Sequence, residues 1–457
     1  MRYILLFILL LFGIIVADFS SAIIMLFLFV LGTIIVQISF RSNRSYQIKL
    51  FQLSFLSTLL FVLLCYEYMQ YHNYEYLLGI DSINAFIPKT MSYIESSDGF
   101  FSSIKALFED YNLFDRSYVG YSFGAIIFGY ISVIYDIDIY LSLQLYSVFV
   151  GAFIPNILFI LFKKNGFDNL KSFKYSLLVF ILSPLLLFSS MIARDAHVAL
   201  LYLIAINFIF TEEFKFKNIL YLVLIIFICT LFRPESGLFL LVLIPAYLLL
   251  TLHNKRQRVV VILSSLVIII GLASLAATNH NTISFLFEAN QENYVEGVAE
   301  GSGMIATFQR VPVIGDFVSI IYNAVQPLPF WAHFTVPKGS DRIEMYNIMT
   351  FPKSISSFFN WFVIVYILFW IFSKRLRRNT KGYISKPLKF QLWIGLVFLY
   401  MQSAVISQRR LMAYYCMFYI LFFIIYNHIG AKNKKQITIT AIFSFIALQI
   451  IGIIYLA

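Results

Sequence analysis

Four arginines stand out by what surrounds them. Arg194 opens the turn ARDAH with Asp195 and His197, Arg233 opens RPESG with Glu235, and Arg409 and Arg410 sit in SQRRL. Each directly precedes the point where the apolar pattern predicts a helix to begin, with Asp195 expected as an N-cap and Pro234 as a first-turn proline. A helix N-terminus presents unpaired N–H groups and about half a positive charge, which attract anions. Guanidinium adds a planar fork matched to phosphate oxygens. The plainer reading is that an arginine at the end of an apolar run snorkels to lipid headgroups. In that reading Asp195 or Glu235 pairs with its neighbour or caps a helix.

Other candidates are fewer. Asp81, in YLLGIDSINAF, is the best-placed carboxylate for a general base, although DSIN also suits an N-cap. His197 and His333 are alternative bases. The acidic groups Glu109, Asp110 and Asp115, and Asp136 with Asp138, lack a metal-ligand spacing, so no metal and no cofactor is expected. A Gly-rich phosphate loop, an HExxH helix and a Ser-nucleophile elbow are all absent from the sequence. Cys65, Cys229 and Cys416 lie singly in apolar runs, which excludes a disulfide framework and a thiolate site.

The elements that must hold these residues are set by composition. The chain has 457 residues, 60% of them apolar and 18% aromatic, with a mean hydropathy of +0.83. Only 12% are charged, about half the share in a soluble domain. This is the composition of a polytopic helical membrane protein, an all-α fold. The net charge of +11 then concerns sidedness rather than nucleic acid, and no nucleic-acid partner is expected. Runs long enough to cross a bilayer occur near 3–17, 20–40, 48–66, 139–162, 175–193, 196–211, 218–232, 237–252, 258–277, 357–372, 390–407, 411–430 and 437–456. The first lacks a small-residue cleavage site and turns straight into the second at Asp18–Ser21, so it reads as a span rather than a signal peptide.

The Gly-rich stretch 117–135 decides the topology. If it spans, the lysines of 163–174 face outward and every later loop inverts. If it is re-entrant or interfacial, the basic turns all fall on one side. The second option predicts about thirteen spans with the N-terminus in the cytoplasm and the C-terminus outside. Twenty-three of the 34 Lys and Arg then lie inside, opposed only by Asp168, Glu212 and Glu213, so the inner face carries about +20 and the outer about −9.

The chain reads as one membrane domain over 1–457, with two large outer segments. In 67–138, FFSSIKALFED predicts an amphipathic interfacial helix, with Phe100, Phe101, Ile104, Leu107 and Phe108 on one face and Ser102, Ser103, Lys105 and Glu109 on the other. The segment 279–356 holds five of the eleven prolines and a short helix expected at 315–325; a loop of that length is more often functional than a linker. None of the assigned spans carries an ionisable residue at its middle, which disfavours an ion-coupled transporter. At membrane depth, three arginine corners on one face suit a lipid-linked phosphate or diphosphate.

With Gly79 and Asp81 in an early outer loop, the RDA turn of Arg194, Asp195 and Ala196, the RP-x-x-G turn of Arg233, Pro234 and Gly237, one large late loop and the Arg409–Arg410 pair, the chain resembles bacterial O-antigen or capsular repeat-unit polymerases of the Wzy type. It is similar as well to polyprenol-dependent glycosyltransferases of the C type, but those often carry an acidic pair in the first loop where Asp81 stands alone. The resemblance implies glycosyl transfer outside the inner membrane. The growing glycan on undecaprenyl diphosphate is the donor, the sugar of a lipid-linked oligosaccharide repeat unit is the acceptor, and undecaprenyl diphosphate leaves. It implies Arg194, Arg233, Arg409 and Arg410 on the diphosphates, Asp81 as base, and 279–356 in sugar recognition. The partners implied are membrane lipids and a chain-length-regulating membrane co-polymerase. A polyprenyl-phosphate-sugar transferase or ligase, or a lipid-linked glycan flippase, is the alternative. A flippase should show two similar halves and a cationic cavity within the spans, and the sequence shows neither.

Overall fold

The computed structural model describes residues 2–72, 85–110, 119–210, 214–233, 236–237, 240–252, 254, 256–257, 259–263, 320–322, 324–326, 351–401 and 408–456. Among these the fold is all-helical, without a strand. In chain order the helices are α1 (Arg2–Val16), α2 (Phe19–Ser39), α3 (Arg44–His72), α4 (Ile87–Glu95), α5 (Phe100–Glu109), α6 (Val119–Tyr135), α7 (Ile139–Gly151), α8 (Ile154–Lys164) and α9 (Asn169–Leu182). They continue with α10 (Leu185–Ser190), α11 (Asp195–Ile209), α12 (Phe216–Phe232), α13 (Leu243–Thr251), α14 (Phe351–Phe372), α15 (Lys374–Thr380), α16 (Lys386–Met401), α17 (Gln408–His428) and α18 (Ala431–Leu456).

Among the described residues five stretches are long and apolar enough to cross a membrane: Phe19–Ser39, Arg44–Tyr71, Ile139–Lys164 (α7 continued by α8), Phe351–Phe372 and Ala431–Ile454. Others are shorter apolar helices, α11 and α12 among them. Large apolar side chains point outward on the peripheral helices, with Phe7 60%, Phe227 61% and Ile454 71% exposed. A soluble surface does not carry such patches, and the protein is a helical membrane protein. Most of the expected spans coincide with these helices; 258–277 lies mainly outside the described residues, as do parts of 237–252 and 390–407.

Local chemistry sets the boundaries. Asp18 caps α2, accepting from the Ser21 backbone N–H at 2.6 Å and its hydroxyl at 2.7 Å. Asp138 caps α7, accepting from the Tyr140 N–H at 2.7 Å. The run 139–162 is broken by turn residues Ala152 and Phe153 before Pro155, and 175–193 by Ser183–Pro184. Pro184 has no N–H to continue the helix. The α3 and α8 packing is pinned by buried amides: Asn156 donates to the Gln47 carbonyl at 2.8 Å and to its side-chain oxygen at 2.7 Å.

Hydrogen bonds between elements define two ends. Ser385 donates to Asn165 at 3.2 Å, the Lys215 N–H donates to Tyr247 at 2.7 Å, and Tyr175 donates to Asn427 at 3.0 Å. These gather the turns bearing Lys163–Lys164, Lys215–Lys217, Lys381–Lys389 and Lys432–Lys435 at one end, the basic end. At the opposite end Tyr66 on α3 donates to Asp138 at 3.0 Å.

Between α3 and α7, helices α4, α5 and α6 form a packet against α7. Ser142 of α7 donates to the Phe128 carbonyl of α6 at 2.7 Å, and Tyr146 lies against Gly124, where an added Cβ would fall 2.2 Å from the phenol oxygen. Thus α6 runs antiparallel to α7, rising toward Asp138 from a start several residues down the α7 axis. On α5 the expected faces need correction. Phe101 and Phe108 are exposed, while Ser103 is fully buried with Leu107. Ser103 is tolerated inside because its hydroxyl donates to the Tyr93 carbonyl at 2.8 Å and pairs with the Tyr130 hydroxyl at 2.9 Å. Of the helix expected over 315–325, residues 320–322 and 324–325 are helical.

Candidate functional site

The ARDAH and RPESG turns meet at one corner. After the break at Pro184, α10 ends at Ser190, whose carbonyl accepts from Gln144 of α7 at 3.2 Å. A tight turn, closed by Ala193 N–H to the Met191 carbonyl at 2.8 Å, delivers Arg194 to the start of α11. Arg194 occupies the cap position without a side-chain cap bond, and Asp195 is the first helical residue. The expected N-cap at Asp195 is therefore displaced by one residue. The carboxylate reaches across to Arg233.

Each arginine is used on the other's element. Arg194 donates to the Phe232 carbonyl at the end of α12 at 3.0 Å. Arg233 pairs with Asp195 at 2.7 Å, with side-chain exposures of 6% and 1%. Arg194 remains half-buried, so it forms the accessible part of the corner and the Arg233–Asp195 pair its buried part. The acidic residue in the first turn also suits the positive end of α11.

Gly237 closes the RP-x-x-G turn, its N–H donating to the Arg233 carbonyl at 3.0 Å. A Cβ there would lie 2.8 Å from the Thr230 backbone, so the turn folds back on α12 only with glycine. Pro234 and Glu235 lie outside the described residues.

His197 is enclosed by rings rather than presented to the surface. Its centroid lies 4.6 Å from Tyr146, 5.5 Å from Tyr121 and 5.1 Å from Phe232. At 3% exposure it is a poor base for a substrate at the corner and a good spacer between α6, α7 and α12. Tyr146 is seven residues beyond the start of α7, so His197 sits about 10 Å below the Asp138 end and the corner, two to three residues earlier on α11, somewhat nearer to it, at ~1.5 Å per residue.

Sequence reasoning missed the polar face of α7. Gln144, Ser147 and Gly151 recur at helical spacing inside an apolar span and point toward α10 and α6. Among the described residues the Tyr121 and Ser147 hydroxyls lie against each other, His197 faces the Ala193 backbone, and the second Gln144 amide atom is buried without a hydrogen bond. Buried polar atoms are normally satisfied, so this wall beneath the corner is suited to water or a polar ligand. The signal was visible as an i, i+3 polar pair, without a partner on which to place it.

The third arginine turn comes to the same end. Arg409 and Arg410 fall in the first turn of α17, which starts at Gln408 rather than at 411. Tyr202 of α11 packs on Tyr414 of α17 at 5.0 Å, edge to face. These rings are seven and six residues from the starts of their helices, and Asn427 lies at the basic end. The two helix starts are therefore level. Asp81 and His333 lie outside the described residues. Among the described residues no cluster of His, Cys, Asp and Glu could hold a metal ion.

No family model matches the chain, and neither a curated protein nor a solved structure matches it.

Proposed function

We propose that the protein is a glycosyltransferase of the bacterial inner membrane that polymerises undecaprenyl-diphosphate-linked oligosaccharide repeat units into O-antigen or capsular polysaccharide. In this reading about thirteen helices cross the bilayer with the N-terminus in the cytoplasm and the C-terminus outside, the packet α4–α6 is re-entrant, and the arginine corner faces the periplasm. The observation that carries it is the joining of two arginine turns through Arg194–Phe232 and Arg233–Asp195, level with the α17 start that bears Arg409 and Arg410.

The chemistry follows from charge. The acceptor hydroxyl attacks C1 of the donor sugar, the C1–O bond to diphosphate breaks, and the hydroxyl proton passes to a base, the role assigned to Asp81. Negative charge grows on the leaving diphosphate, so arginines aimed at it stabilise the transition state more than the ground state. Arg194 is placed to touch the diphosphate. Arg233, buried against Asp195, positions the α11 start. Sugar recognition falls to 279–356, and chain length to a separate membrane partner.

Replacing Arg194, Arg233, Arg409 and Arg410 singly by Glu, with membrane abundance checked by immunoblot, tests this. Losing one charge-assisted hydrogen bond costs ~1.5–3 kcal/mol, or roughly 10- to 150-fold in rate, so surface glycan should shorten. Normal chain length in all four variants would sink the diphosphate assignment. Deleting the gene separates the wider alternatives. A polymerase loss leaves core plus one repeat, a flippase loss leaves no repeat, and loss of a side-branch transferase leaves a ladder of altered sugar.

A further inference from the structure

A second charged site lies at the opposite end from the arginine corner. Trp370 near the end of α14, Lys374, Arg377 and Arg378 of α15, and Lys381, Ile384 and Lys389 at the α15–α16 connection line a cavity of about 380 Å³. Its frame is rigid. The Trp370 indole N–H donates to Thr380 at 2.7 Å, and the buried Thr380 hydroxyl donates to the Leu376 carbonyl at 3.0 Å. Ser373 caps α15. Five exposed cations therefore line an open pocket beside an indole held in place by its hydrogen bond.

Among the described residues these cations have no carboxylate partner. After Glu344 the sequence holds thirteen Lys and Arg and not one Asp or Glu. Among the described residues none of the five makes an ion pair; the pairs present are Lys105–Glu109, Lys171–Asp168 and Arg233–Asp195. Orienting the chain in a membrane requires only that basic residues be numerous on one side. It does not require them to surround a cavity beside a tryptophan. Mutual repulsion opposes such clustering, and an anion bound in the cavity relieves it.

We infer that this cavity binds a phosphate group, supplied by the headgroup of an anionic phospholipid in the adjoining leaflet. Basic pockets between helix ends take such headgroups, the Trp370 ring suits the headgroup level, and α14 and α16 offer apolar surfaces to the acyl chains. Phe369, Phe372 and Trp393, all exposed, provide it. The inference stands apart from the proposed glycosyl transfer, since it uses none of the same residues.

Native mass spectrometry of the purified full chain in detergent tests it, with phosphatidylglycerol, cardiolipin and phosphatidylcholine as probes and inorganic pyrophosphate as the soluble competitor. Phosphatidylglycerol and cardiolipin should bind at least tenfold more tightly than phosphatidylcholine. The double variant Arg377→Gln/Arg378→Gln should lose that preference, while Lys432→Gln/Lys435→Gln, at the same end but outside the cavity, should keep it. Failure of millimolar pyrophosphate to displace the lipid upholds the headgroup, and displacement assigns the phosphate site to a soluble anion. Equal retention of all three lipids, or unchanged selectivity in a double variant that melts like the parent, overturns the inference. If the double variant unfolds, the exposed Lys374→Gln and Lys381→Gln replace it under the same criteria.

Discussion

At the scale of single residues, the Arg233–Asp195 pair governs how mutations at the corner must be read. Both side chains are almost wholly shielded and 2.7 Å apart. Removing one takes from a buried charge its partner at 2.7 Å, a loss of up to about 3–5 kcal/mol. Asp195→Ala and Arg233→Met should each lower the melting temperature sharply in detergent. The double replacement should cost clearly less than the two together, as expected of directly coupled groups. Additive losses measured in this cycle would show that the two side chains act independently. Arg194→Ala, which removes a half-exposed donor to the Phe232 carbonyl, should cost much less stability. A large effect of that variant on glycan length at near-parent stability is what the proposed phosphate contact requires.

At the scale of elements, the helix starts are set by carboxylates, and one of them titrates outside the membrane-spanning segments. Asp168 accepts from the Lys171 backbone N–H at 2.8 Å and lies 3.6 Å from the Lys171 ammonium. The backbone hydrogen bond, then the nearby ammonium, hold its carboxyl below the ordinary 3.8. A depressed carboxyl stabilises the fold fully above its unfolded value and loses that contribution as pH falls through the lower folded value. Asp168→Asn keeps a competent cap but removes the titration. Its thermal midpoint should lie slightly below the parent's near neutrality and decline less as pH falls, so that the two converge below about pH 4. An identical decline in both proteins would refute this assignment.

Much of this level was legible in the sequence. The apolar runs mark the helices, and Asp18, Asp138 and Asp168 mark three of their starts. The breaks at Ala152–Phe153 and Ser183–Pro184 were hidden because the flanking residues are as apolar as any span. The faces of α5 were misassigned because a serine can be buried when a carbonyl and a phenol receive it. The Arg233–Asp195 bond joins residues 38 positions apart. Either side chain alone reads as a snorkelling arginine or a capping aspartate, so only the packing of α11 on α12 distinguishes a pair from a cap.

At the scale of the whole molecule, the basic turns collect at one end through bonds that hydropathy does not contain, such as Ser385–Asn165 and Tyr175–Asn427. The proposed orientation is open to direct chemistry because the three native cysteines are all buried. In whole cells a membrane-impermeant maleimide should label Asp136→Cys, and should reach Lys381→Cys only after the membrane is opened; both positions are exposed. Labelling of Lys381→Cys in intact cells would reverse the proposed sidedness.

The depth of the corner has a consequence for the lipid around it. Helix α11 has 15 residues and α12 has 17, about 22 and 25 Å at ~1.5 Å per residue, whereas a bilayer core is about 30 Å thick. In the proposed orientation α12, whose Leu220, Val223 and Phe227 are exposed, meets lipid, and the bilayer beside it must thin toward its length, a hydrophobic mismatch. On the proposed function, a thin film there would let a polyprenyl carrier present its charged head without lifting its tail out of the membrane. Activity of the reconstituted protein should therefore be highest in short-chain lipids and fall as acyl chains lengthen beyond eighteen carbons (roughly the thickness this mismatch opposes). Turnover insensitive to chain length would mean that the dip is filled by protein alone.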